Sequence, residues 1–146
     1  NGFTKYDVSA FFKVFQLNTH IDALIKLRQD DRAKETISRL LKMIEQHGCK
    51  WTLPEVLRLD AVCGLKENGS DRAKAETIFL QSIELAKSQK SKLWELRSAT
   101  SLARLWGEGK ERQKAYDLLF PIYDWYTEGF DTFDLKEGKA LLQELQ

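Results

Sequence analysis

Arginine is well suited to holding a carboxylate, because its planar guanidinium presents a rigid fork of donors. In this 146-residue chain Arg58, Arg97 and Arg104, with Glu55 and Ser101, fall on the non-core side of two related amphipathic stretches. Presented in a row, they suit a carboxylate or an acidic peptide segment. The plainer reading is a solvated helix face, with Arg97 beside Ser101 at i,i+4. Other chemistry is poorly supplied. His47, Cys49 and Cys63 lack a fourth zinc ligand, and Cys63 falls on the core face of the next helix, where cysteine acts as a small hydrophobe. His20 has no serine or cysteine partner with a recognisable signature, so a nucleophilic triad has no support. Gly64, Gly69, Gly107 and Gly109 end helices and do not form a phosphate-binding loop. Trp51, Trp94, Trp106 and Trp125 could stack on bases or sugars, but three of them fall near hairpin ends, where indoles seal packing. No catalytic residue, metal or cofactor is expected.

Composition narrows the class further. Apolar residues make up 42% and charged residues 31%, the balance of a folded helical protein. With 23 basic against 22 acidic residues the net charge is +1, which argues against non-specific binding to nucleic acid or anionic lipid. No apolar run approaches the roughly 18 residues that span a bilayer. Cys49 and Cys63 form no disulfide framework, and a reduced, cytoplasmic setting is expected. The chain starts at Asn1 and its one methionine is Met43, so a fragment of a longer polypeptide is expected.

The elements that position these residues are helices. Only two prolines and eight glycines interrupt the chain. Lys5–Leu17 is aromatic-rich and amphipathic; Thr19 either caps a second short helix to Leu27 or lies inside one long helix. Asp31 is expected to cap a helix ending at Gly48. Thr52 or Leu53 opens the next, with Pro54 in its first turn, and it ends near Asn68-Gly69. Ser70 or Asp71 caps the following one. Leu93–Trp106 carries Leu96, Ala99, Leu102, Ala103 and Trp106 on one stripe. Glu111–Tyr126 contains Pro121, which predicts a kink or break near 117–120. Asp134 and Glu137 have the spacing of a capping box for a last helix that buries Leu135, Leu141, Leu142 and Leu145.

The chain also matches itself. Glu55 aligns with Glu95, Val62 with Leu102, Cys63 with Ala103, Ala75 with Ala115 and Ile78 with Leu118, each pair 40 residues apart. Periods of this size mark stacked helical hairpins, none of which can bury its stripe alone. A small residue (Cys63, Ala103) is followed twelve positions on by another (Ala75, Ala115), and four later by a large one (Phe79, Leu119). That placement resembles the tetratricopeptide pattern, with HEAT-like pairing as the alternative. The expected fold is all-α: hairpins at 5–48, 52–89 and 92–128, then a capping helix at 133–145, in one domain.

From Trp94 the resemblance sharpens. Trp94-Glu95-Leu96-Arg97 through Trp106, and Pro121-Ile122-Tyr123 with Trp125 through Lys136, are similar to the last repeats of large bacterial multidomain regulators. In that family a class III adenylate/guanylate cyclase or DNA-binding domain precedes an ATPase module and a C-terminal tetratricopeptide region. The resemblance implies a sensor or interaction region and carries over no catalytic residue. A scaffold for contacts with a protein, a peptide or upstream domains is expected, with Glu55, Arg58, Arg97, Ser101 and Arg104 on its concave face. A small-ligand sensor is the alternative, favoured by an apolar cavity lined by Arg97 or Arg104. An enzyme would require an acid/base or metal constellation. Phe11, Phe12 and Phe15 form an open apolar end that could pair two copies.

Overall fold

Long stretches without a helix breaker, striped at helical spacing, fold as helices throughout the described residues. The structure is a computed structural model describing residues 8–65 and 71–146, without the side chains of Val8, Ala10 and Phe11. Its helices are α1 (Val8–Lys26), α2 (Asp30–His47), α3 (Leu53–Leu65), α4 (Arg72–Ser88), α5 (Lys92–Gly107), α6 (Arg112–Asp124) and α7 (Phe133–Leu145). A single 3₁₀ turn, Lys50–Thr52, leads into α3. The Asn68-Gly69 stop and the alternative cap Ser70 lie outside the described residues.

Several boundaries follow local rules. Gly48 takes φ +69°, and its N–H closes on the Ile44 carbonyl, a left-handed end to α2. Asp71 caps α4, its carboxylate accepting from the Lys74 N–H at 3.1 Å. Others differ. α1 is one helix: Thr19 lies inside it and donates to the Phe15 carbonyl, a back-bond that lets a threonine sit mid-helix. Gln29, not Asp31, occupies the N-cap of α2, after a turn in which Arg28 has φ +59°. Pro121 does not break α6, which continues to Asp124 with the preceding turn still helical; the ring removes a single helical N–H, its own. Thr132, not Asp134, occupies the N-cap position of α7, its hydroxyl donating back to the Gly129 carbonyl, so the expected capping box is absent.

Each helix packs on the next, and α1 also packs on α3, α3 on α5 and α5 on α7. These four therefore stand side by side, with α2, α4 and α6 each wedged between two of them. Ala33, Ile37, Leu40, Leu59 and Cys63 help fill one core between α1, α2 and α3. A second runs through α3–α7 around Phe79, Leu96, Leu102, Ala103, Ala115 and Leu119. Val62 packs against both. The paired small residues Cys63, Ala75, Ala103 and Ala115 are all buried, as close helix approach requires. A buried hydroxyl chain crosses the second core: Ser82 donates to the Pro54 carbonyl at 2.6 Å. Ser98 then supplies the proton of the Ser82–Ser98 bond, because Ser82 has only one to give.

Candidate functional site

Residues on the exposed side of α1, α3, α5 and α7 meet around one cavity of about 490 Å³. α1 contributes Phe15, Asn18, Thr19, Asp22 and Lys26, and the turn before α3 adds Thr52. α3 adds Glu55 and Arg58; α5 adds Leu93, Trp94, Arg97, Thr100, Ser101 and Arg104; α7 adds Phe133, Asp134 and Glu137. All five residues singled out from the sequence therefore lie in one wall. The spacing explains this: 55 and 58, and likewise 97, 101 and 104, repeat at one turn or two.

The arginines do not stand bare. Arg58 grips Glu55 with both fork arms, Nε to Oε2 and Nη2 to Oε1 at 2.8 Å each. Its Nη1 donates to Ser101 Oγ at 3.4 Å, and its Nη2 lies 4.0 Å from Asp22. Arg97 bridges helices, donating from Nη1 to Glu55 at 3.2 Å and from Nε to Asp134 at 2.9 Å. Arg104 pairs with Glu137 at 2.9 Å, and Lys26 with Asp22 at 2.6 Å. One string of charges, Asp22–Arg58–Glu55–Arg97–Asp134, thus crosses all four helices. Burial pulls the Arg97 pKa down, but the hydrogen bonds and charges of Asp134 and Glu55 outweigh it and hold it above its ordinary value.

Asp134 and Glu137 are the functional-looking residues that sequence reasoning misplaced. Their i,i+3 spacing resembled a cap, yet it equally puts two carboxylates on one helix face. Arg97 and Arg104, two turns apart on one face, were the signal that such partners were needed. Asn18 and Thr52 were missed altogether. Both line the cavity and are buried, and Asn18 Nδ2, Asn18 Oδ1 and Thr52 Oγ1 have no hydrogen-bond partner.

Around this polar floor stand apolar side chains: Phe15, Leu93 and Phe133 are exposed, and the Arg97 guanidinium lies 5.2 Å from the Trp94 ring centre. The tryptophans therefore divide. Trp106 is core, Trp94 borders the cavity, and Trp125 is 56% exposed with Lys92 over its ring. Phe12 is exposed as well, while the Phe11 side chain lies outside the described residues. Among the described residues no group of three or more His, Cys, Asp or Glu could hold a metal ion. No described helix is long and apolar enough to cross a membrane. No protein-family model, curated protein or solved structure matches the chain.

Proposed function

We propose that the chain is a non-catalytic binding module, a tetratricopeptide-like stack of three helical hairpins closed by α7, whose groove receives a segment of polypeptide. That segment belongs to another protein or to upstream domains of the same regulator, as the resemblance from Trp94 to Lys136 implies. One observation carries the reading: four helices, far apart in sequence, converge their exposed sides on a single cavity. The 40-residue recurrence, the buried small-residue pairs and the side-by-side row of α1, α3, α5 and α7 support the stacked-hairpin architecture.

The test is a pull-down with the purified chain beside Ser101→Trp, which puts an indole into the groove. A protein retained by the native chain and lost from Ser101→Trp, with helicity unchanged by circular dichroism, is the expected result. Equal capture by both would end the groove reading.

A second reading, a small-molecule sensor, has its own support. The cavity falls within the roughly 300–1,000 Å³ of small-ligand sites, and Arg97 and Arg104 lie in its wall. A thermal-shift screen of metabolites against the native chain and Ser101→Trp would favour it over polypeptide docking, if one compound raised the melting temperature of the native chain alone.

A further inference from the structure

The three arginines of the groove are not equally provided for. Arg58 has carboxylates from Glu55 and Asp22, and Arg97 has them from Glu55 and Asp134. A guanidinium between two carboxylates is therefore an arrangement this wall uses twice. Arg104 has one, Glu137, among the described residues. Its Nη2 donates there, while Nε and Nη1 have no acceptor. Since Nη2 carries two hydrogens, one full edge of the fork stays open to a second carboxylate without loss of the first. One turn back on the same face, Ser101 accepts from Arg58 and has no acceptor for its own hydroxyl proton. Formal charge in the groove is balanced, but in each of the four ion pairs the cation is the more exposed member. An occupant therefore meets cations and open donors before it meets acids.

The groove also changes character along its length. Arg97 meets Asp134 and Arg104 meets Glu137, so α5 and α7 run the same way. Their first turns carry the exposed Leu93 and Phe133, with Trp94 beside them, an apolar end opposite the Arg104 end. Trp94 and Arg104 are ten residues apart, about 15 Å along the helix axis. An extended peptide covers that distance in about four or five residues.

We infer that the groove takes an acidic stretch of polypeptide. An Asp or Glu side chain becomes the second carboxylate of Arg104, accepting from the open edge of its fork and from the Ser101 hydroxyl. An apolar side chain about four or five residues away rests on Leu93, Trp94 and Phe133. This assignment rests on the polypeptide-docking reading and supplies its specificity.

The test is selection of a phage-displayed random dodecapeptide library on the intact chain, followed by affinity measurement for the enriched sequences as free peptides. The expected peptides carry Asp or Glu about four or five residues from an aromatic residue or leucine, and Ser101→Trp blocks them. Arg104→Gln weakens them at least about tenfold, the affinity equivalent of a charge-assisted hydrogen bond. Lys139→Gln removes the same charge from an exposed site of α7 outside the groove and leaves them within about twofold. Amidating the peptide's acid, Asp to Asn or Glu to Gln, also costs about tenfold and abolishes the difference between the native chain and Arg104→Gln, which shows that the two groups act on each other. Because the Arg104–Glu137 pair is half exposed, Arg104→Gln keeps the native helicity.

Enrichment of basic or uncharged peptides that Ser101→Trp blocks would overturn the inference and leave polypeptide docking intact. Acidic peptides that bind Arg104→Gln as tightly as the native chain would overturn it too. If no peptide is enriched, or none is blocked by Ser101→Trp, the docking reading itself fails and the inference with it.

Discussion

Glu55 accepts three hydrogen bonds from two arginines while its side chain is only 4% exposed. Removing one member of a buried charge cluster leaves the others without compensation, a cost of about 3–5 kcal/mol. Glu55→Ala should therefore destabilise the fold by about 3 kcal/mol in urea denaturation, the lower end because Arg97 is a third exposed and water can reach it. The Arg104–Glu137 pair is 48% and 42% exposed, where ion pairs contribute little. Arg104→Ala should cost less than about 1 kcal/mol in the same measurement. Equal losses would mean that burial does not grade these pairs. The elevated Arg97 pKa keeps that guanidinium charged across any accessible pH, so acid can loosen the string only through its carboxylates.

α7 shows how a helix comes to serve as the fourth wall of the groove. Leu135, Leu141, Leu142 and Leu145 bury one stripe against α5 and α6, and that rotation fixes Asp134 and Glu137 toward the arginines. Gly138 lies on the buried side, where a Cβ would come 3.4 Å from Tyr123 Cδ2 and 3.7 Å from Leu96 Cδ1, ordinary contact distances. Glycine inside a helix costs roughly 0.5–1 kcal/mol relative to alanine. Gly138→Ala should accordingly raise stability by about 0.5 kcal/mol, seen as a higher midpoint in urea. A lower midpoint would show that α5 and α7 need the closer approach. The capping-box expectation failed here for a related reason. An acidic residue followed three positions later by Glu satisfies a helix end or a cross-helix pair equally well, and packing against α5 chose the second.

The two cores share α3, with Val62 touching both, so the molecule should unfold as one unit. Leu40→Ala, in the first core and fully buried, should cost about 2–5 kcal/mol. It should speed amide hydrogen exchange in α5 and α6 as much as in α2. Acceleration confined to α1–α3 would reveal two separately melting halves, as repeat arrays allow. At this scale the division between sequence and tertiary structure is clear. The helical class and the buried small-residue sites Cys63, Ala75, Ala103 and Ala115 were legible because each depends on local periodicity. So was the shared face of Arg97, Ser101 and Arg104, since positions three and four apart on a helix lie together whatever surrounds it. The continuity of α1 through Asn18-Thr19, the outward position of Trp125 and the ion-pair role of Asp134 and Glu137 were not. Nor was the isolation of Asn18 and Thr52 beside four paired cations. Those depend on which helix lies opposite, and contacts between residues more than thirty positions apart leave no periodic trace in the chain. Tertiary packing alone decided that Arg97 and Arg104 meet the protein's own carboxylates, because those partners lie on other helices.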